Sequence, residues 1–387
     1  MLQLPANATP ARACPDSLRV GVLSTYPPTP CGLATFSAAL ARGLSATGAE
    51  VSVVRVADGS PSGGSRVVGE LVNGSAASIA ASSDLLNQND IAVIQHEYGI
   101  YGGMDGDEVV DIIGDLAVPS IVVVHTVLND PTPHQRSLLE VVAALADRVV
   151  VMSESAHRRL CLGYHVDRRK VTTIPHGAMV PTSSHTKRGG RPTLLTWGLL
   201  GPGKGIERVI DSMGDLHQLN GRPRYVVAGR THPKVLAADG EEYRDFCIEK
   251  ARLSGLTDAV HFDSGYLDAP SLSALLRSAA VVVLPYDSTE QVTSGVLVDA
   301  VAHGRPVVAT AFPHAVELLG SGAGIAVEHG NPEALTSALR SVLTQPRIAG
   351  AMAAEARRLA PMMSWSVVAN AYQAAARQIL ADRSGRR

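Results

Sequence analysis

The chain has 387 residues, enough for two domains of ordinary size with a core each. Apolar residues make up 45%, charged ones 18% and aromatic ones 4%, the make-up of an Ala/Val-rich α/β protein, which excludes a disordered chain. A formal net charge of -2 gives no reason to expect nucleic acid, because polyanion binders carry a clearly basic domain.

The N-terminus, MLQLPANATPARACPD, has no apolar stretch long enough for a signal peptide, and residues 1–16 are expected to form a disordered leader. Arg19 to Thr25 (RVGVLST) reads as a first buried strand, followed by the loop YPPTPCGLATF with its single Gly32, and by a helix from Ser37 to Leu44. Strand, glycine loop and helix form a ligand-binding arrangement, although the loop is not the GxGxxG of dinucleotide binding. Val51 to Val56 is a second strand, and a Gly/Ser-rich loop covers 58–66. Three further strands end in polar groups: Ile91 to Gln95 runs into His96, Glu97 and Tyr98, Ser120 to Val124 into His125, and Arg148 to Met152 into Ser153. A histidine after a strand is more often structural than catalytic. Three such strand ends on one rim make His125 a candidate for the site.

After Val171 to Pro175 and His176, the polar segment PTSSHTKRGGR at 181–191 has the composition of a linker. A second α/β pattern follows. It comprises strands at Thr193 to Trp197, Arg224 to Ala228 and His261 to Asp263, with helices at Ile206 to Met213 and Ala269 to Ser278. Val281 to Thr310, VVVLPYDSTEQVTSGVLVDAVAHGRPVVAT, reads as strand, loop, helix from Gly295, and parallel strand. Ligands of such units sit beyond the carboxyl ends of the strands, against a helix N-terminus that favours phosphate. Trp365 to Leu380 is a terminal helix, and ADRSGRR a frayed polar tail.

Gly-Pro-Gly-Lys-Gly at 201–205 lies between a strand and a helix, where glycines admit a phosphate to the backbone and Lys204 supplies a charge. It lacks the Walker spacing, so an NTPase is not supported. The alternative for the motif is a tight turn with an exposed lysine. Cys14, Cys31, Cys161 and Cys247 form no CxxC pair, so no disulfide framework or metal site is indicated and a reducing, cytoplasmic setting fits. Nowhere do about 18 apolar residues run together. The protein is expected to be soluble, with peripheral contact at the inner face of a membrane left open.

The succession WGLLGPGKGIERVI, VVAGRTHP, VHFDSGYLDAPSLSALLRSAAVVVLPY and QVTSGVLVDAVAHGRPVVAT resembles the donor-binding domain of family 4 glycosyltransferases (glycosyl transferases group 1), retaining enzymes of the GT-B fold. YPPTPCGLATF, QHEYGIYGG, VVHTVLNDPTPHQ and IPHGA are similar to the same family's acceptor-side half. The resemblance implies two doubly wound Rossmann-like α/β domains facing across a cleft. The N-terminal, acceptor-side domain would be 17–180, completed by the C-terminal helix 363–382, and the donor domain 191–360. It implies transfer of a sugar, mannose or glucose being candidates, from a nucleoside diphosphate to a hydroxyl acceptor with retention. The acceptor is a carbohydrate, a lipid-linked molecule or a small metabolite, and no cofactor is needed beyond the nucleotide sugar.

Carried over residue by residue, the resemblance makes His125, Lys204 and Gln291 the catalytic group. Gly32, Gly198, Lys204, Arg230, Tyr266, Glu290, Gln291, Ser294, Gly295 and Asp299 fall on the donor side, and His96, Glu97 and Tyr98 on the acceptor side. Lys204 would neutralise the diphosphate, backbone N–H groups around Ser294 and Gly295 would hold phosphate or sugar hydroxyls, and Asp299 would take the ribose. Two departures stand out. Gln291 occupies the place of the first Glu of the family's Glu-x7-Glu pair, with Glu290 beside it, and Leu199 stands where many relatives have Arg. They motivate two alternatives, a catalytically weakened sugar-nucleotide-binding scaffold and a sugar-nucleotide epimerase. A phosphorylase would be expected to keep a lysine for pyridoxal phosphate, and none stands out.

Overall fold

The computed structural model describes residues 17–61, 63–182, 190–265 and 267–385. The expected leader, most of the expected linker and Tyr266 lie outside the described residues. The first half runs β1 (Arg19–Ser24), α1 (Gly32–Ala46), β2 (Glu50–Val56), β3 (Val67–Leu71), α2 (Ala76–Asn87), β4 (Ile91–His96), α3 (Glu108–Gly114), β5 (Ser120–Val124), α4 (Pro133–Leu145), β6 (Arg148–Val151), α5 (Glu154–Gly163) and β7 (Val171–Thr173). The second half runs β8 (Thr193–Trp197), α6 (Ile206–Leu216), β9 (Arg224–Ala228), α7 (Pro233–Asp239), α8 (Glu242–Leu253), β10 (Val260–Asp263), α9 (Ala269–Ser278), β11 (Val281–Leu284), α10 (Gly295–Ala302), β12 (Val307–Thr310), α11 (Pro313–Leu319), β13 (Gly324–Val327), α12 (Pro332–Thr344), α13 (Pro346–Leu359) and α14 (Trp365–Ser384).

Parallel strands need crossovers, and helices supply them here except between β2 and β3, which follow each other directly in the element order. One sheet has the order β3-β2-β1-β4-β5-β6-β7 and the other β10-β9-β8-β11-β12-β13. In each, the order reverses between the first strand of the domain and its neighbour, β1 beside β4 and β8 beside β11. At such a switch point the connections leave in opposite directions, and a crevice opens beyond the carboxyl ends.

On one face of the first sheet, Phe36, Leu40 and Leu44 of α1 pack with Val368, Tyr372, Ala376 and Ile379 of α14 over Val20 and Val22. The last helix of the chain thus completes the first domain. The two helices approach closely because α1 carries Gly43, where a Cβ would stand 3.0 Å from the Trp365 carbonyl oxygen.

Several boundaries differ from the sequence reading. Helix α1 starts at Gly32 rather than Ser37, because Cys31 caps it through its sulfur, which accepts from the Ala34 N–H at 3.3 Å. Beyond the glycine/serine loop, 67–87 forms a strand and a helix. The tail expected to fray continues α14 to Ser384, and Arg383 pairs there with Asp147 at 2.8 Å. No helix among the described residues is long and apolar enough to cross a membrane.

Candidate active site

The two switch points face each other across a cleft of about 1010 Å³. Four strand ends of the first domain reach it. Gly32 and Phe36 come from the β1–α1 connection, Glu97 from the end of β4, His125 and Thr126 from β5, and His176 from beyond β7. Opposite them stand Gly198, Leu199 and Lys204 after β8, Gly229 and Arg230 after β9, and Thr293, Gly295 and Asp299 around the start of α10.

The β1–α1 loop is fixed from beneath by Arg55, which is fully buried. Its guanidinium pairs with Glu70 at 2.6 Å and with Asp58, and donates to the Tyr26 carbonyl at 3.2 Å and the Thr29 hydroxyl at 3.0 Å. A buried charge is tolerated when its donors are used in this way. On the opposite rim, Gly229 adopts φ 130° and touches Gly198, so a Cβ there would be driven into the Gly198 carbonyl oxygen. Lys204 lies in the cleft with Nζ 4.5 Å from the centre of the Tyr286 ring, and burial lowers its pKa. An ammonium ion held over a ring face and partly stripped of water is a ready partner for a diphosphate.

Asp299 lies one turn into α10 and lines the cleft. Burial pushes its carboxyl up to about 7, and its side chain makes no hydrogen bond or ion pair with a described residue. Below it, the His303 Nδ1–H donates to the Asp299 backbone carbonyl at 2.7 Å, which leaves Nε2 to accept from the Ser273 hydroxyl at 3.1 Å.

Several sequence-predicted residues do not reach the cleft. The Gln291 amide turns back and donates to the Thr293 carbonyl at 3.0 Å. Glu290 is drawn to the first domain, where Arg159 approaches its carboxylate at 3.1 Å and donates to its carbonyl at 2.8 Å. Neither side chain of this pair lines the cleft, because the loop after β11 bends toward α5. The Ser294 N–H is also committed, donating to His314 Nδ1 at 2.9 Å, while its hydroxyl caps Leu297 at 3.3 Å. The cleft therefore meets α10 at Gly295. On the acceptor side His96 is buried with its ring 5.2 Å from that of Tyr98, whose hydroxyl donates to the Gln135 carbonyl at 3.2 Å, and neither lines the cleft. Glu97 does line it, accepting from the Thr126 hydroxyl at 2.6 Å and the Tyr98 N–H at 3.0 Å, and burial raises its pKa.

The sequence reading missed a ring cluster at the centre. Phe36 lies 4.9 Å from both His125 and His176 and 5.2 Å from Trp365, centroid to centroid, each edge-on. Burial pushes His125 down to about 3 and His176 to about 4, so both rings are neutral at physiological pH. His176 donates from Nδ1 to the Gly177 carbonyl at 2.7 Å, and its Nε2 lies 2.8 Å from where a Gly295 Cβ would be. A side chain at 295 would therefore collide with His176, and the two domains approach closely there because residue 295 is glycine. The polar ending of β7 was a signal for His176, but nothing in the sequence placed Trp365, which arrives from the far end of the chain.

Two family models match the chain in tandem, Glycosyltransferase Family 4 over residues 30–179 and Glycosyl transferases group 1 over 182–359. A D-inositol 3-phosphate glycosyltransferase of Kineococcus radiotolerans is 28% identical over 270 residues, which cover 64% of this chain and 60% of that protein. Among solved structures, Anabaena HepE in complex with UDP and glucose superposes with a TM-score of 0.69 at 15% identity, covering 92% of this chain and 99% of that one. A glycosyltransferase from Rickettsia africae gives 0.71 at 14% identity, covering 94% and 99%. At these identities the structural likeness establishes the fold, GT-B.

Proposed function

The chain belongs to the glycosyltransferases that join a family 4 N-terminal half to a group 1 C-terminal half, and from that premise we propose that it moves a hexose from a nucleoside diphosphate to a hydroxyl acceptor with retention at the anomeric carbon. The observation that carries this reading is the convergence of Lys204, Asp299 and His125 on one cleft from two domains. Lys204 neutralises the diphosphate as it departs, and the N-terminal end of α10 at Gly295 adds its dipole. Asp299 accepts from the ribose hydroxyls, and neutral His125 accepts from a hydroxyl of the transferred sugar. Glu97 and Thr126 orient the acceptor, whose proton passes to a leaving phosphate oxygen. Closure of the cleft excludes the water that would hydrolyse the donor. Gln291 and Glu290 take no part, so stabilisation of the oxocarbenium-like transition state falls to the departing diphosphate itself.

UDP-glucose, the ligand of another Anabaena HepE complex, is the first donor to test, with GDP-mannose beside it. The experiment measures release of the nucleoside diphosphate from a donor panel, with and without polyol and glycoside acceptors. Acceptor-dependent release from one donor is expected. In that assay Lys204→Ala should weaken donor binding by about 1.5–3 kcal/mol, the scale of a charge-assisted phosphate contact. A donor that binds and is never turned over with any acceptor would favour the scaffold reading, to which Gln291 and Leu199 point.

A further inference from the structure

The strand next to His125 carries a polar side chain that the reaction scheme leaves unused. Gln95 belongs to β4, whose other residues from Ile91 to Ile94 are apolar, and it is fully buried. Its register partner on β5 is Val123. His125 follows Val123 by two residues, so the Gln95 and His125 side chains leave the sheet on the same face. They meet, with Gln95 Oε1 2.7 Å from His125 Nε2. The Gln95 amide nitrogen has no partner among the described residues, so the contact with His125 is the hydrogen bond its side chain makes. A buried amide with half its capacity unused costs stability compared with an apolar residue of the same size. Packing does not explain it.

We propose that Gln95 is a positioning residue that sets the tautomer of His125. Its amide carbonyl takes the Nε2 hydrogen, and Nδ1 is left as a bare acceptor toward the cleft. A histidine offers the substrate either a donor or an acceptor, and the partner of its other nitrogen decides which. The neighbours hold the ring but do not set the tautomer. The His125 backbone N–H donates to the His96 carbonyl at 3.1 Å, and Phe36 presents a ring edge. The titratable groups that face His125 are His96 at the end of β4 and His176 beyond β7, both held neutral by burial. Glu97 is tied to Thr126, and Lys204 and Asp299 stand on the opposite wall. An amide suits this place better than a carboxylate, which would draw a second proton onto the ring and turn the acceptor into a donor.

The proposal rests on the reading of His125 as a group that touches the transferred sugar, and its test separates the two. Nitrogen and carbon shifts of isotope-labelled histidine in the native protein at pH 7 report the tautomer with no donor present, the His125 signal being the one lost in His125→Ala. The hydrogen is expected on Nε2, and a hydrogen on Nδ1 would overturn the proposal whether or not the protein folds as a variant. With the preferred donor, Gln95→Leu should lower turnover about tenfold or more while donor affinity stays within about twofold, as for loss of an orienting partner. At saturating donor, where the pH dependence of donor binding drops out, Gln95→Glu should turn a flat turnover profile into one that falls below about pH 7 and recovers above it, because the new carboxylate raises the imidazole pKa. Wild-type turnover and profile in both variants would reduce Gln95 to a structural residue. The expected tautomer in a protein that turns over no donor would sink the transferase reading and leave the hydrogen bond standing.

Discussion

Asp299 is a carboxyl whose charge depends on what fills the cleft. Burial without a partner raises it to about 7, so it is about half protonated at neutral pH. The folded chain holds a proton that the unfolded chain has lost, so this group costs stability progressively as pH rises from the ordinary carboxylate range to about 7, and fully above it. In the proposed donor complex two ribose hydroxyls donate to the carboxylate and reverse that preference, since they hydrogen-bond the ionised form. Affinity for a nucleotide sugar should therefore rise with pH by up to about tenfold per unit below about pH 7 and level off above it. Calorimetry between pH 5.5 and 8.5 reads this, with UDP-glucose rather than UDP, because its doubly esterified diphosphate does not titrate there. Asp299→Asn should bind more weakly at high pH and with no slope. A slope of equal size in that variant would assign the titration to another group.

At the scale of elements, the glycines on the two rims serve different purposes. Gly229 needs its glycine for the fold, since its φ of 130° and its contact with Gly198 leave no place for a Cβ. Gly32 meets nothing within 4 Å and opens α1 in ordinary backbone, while lining the cleft. Gly229→Ala should lower stability by roughly 2 kcal/mol or more through backbone strain, seen as a fall in melting temperature. Gly32→Ala should keep or slightly raise that temperature, alanine being the better helix former, yet weaken donor binding by filling space beside the diphosphate. Equal affinity in Gly32→Ala would remove that loop from the donor site. The same distinction explains what the sequence made legible. Strands such as VVVL at 281–284 are buried on both faces and read as continuous apolar runs; Glu97 and His125 were legible because they follow strands directly, and Lys204 because it sits in a glycine-rich turn between a strand and a helix. Val67–Leu71 was passed over because VVGEL is an edge strand with an interior glycine, and Ala76–Asn87 because its Ala/Ser-rich surface gives little amphipathic contrast. That Gln291 lies off the cleft is not legible in the sequence, because the path of a ten-residue loop has no period to read. Its direction is set by Arg159 and His314, far away in the chain.

Across the whole molecule, those distant partners form a clasp between the domains. The Ser153 hydroxyl donates to the Val292 carbonyl at 2.6 Å, and the first N–H groups of α5, at Glu154 and Ser155, donate to the Glu317 carboxylate of α11 at 2.9 and 2.7 Å. Arg159 adds its bonds to Glu290 on the same side. A helix N-terminus in one domain is thus capped by a carboxylate from the other, where the dipole favours it. Glu317 is exposed, so solvent screens the charge and the clasp is worth on the order of 1 kcal/mol rather than several. An interaction of that size biases two domain arrangements without locking either, which suits a cleft that must open to exchange nucleotide. Because Val292 and Glu290 belong to the loop leading into α10, opening the clasp also frees the donor side of the cleft. Glu317→Gln combined with Arg159→Ala should therefore enlarge the radius of gyration in solution scattering and speed amide exchange at Glu154 and Ser155, leaving each domain folded. A saturating nucleotide sugar should bring the variant back toward the wild-type radius, as the proposed donor contacts with Lys204 and Asp299 on one wall and Gly32 and His125 on the other would span the cleft. An unchanged radius and unchanged exchange would mean that the packing of α14 on α1, together with the Ala178 N–H bond to the Met363 carbonyl at 2.7 Å, holds the domains by itself.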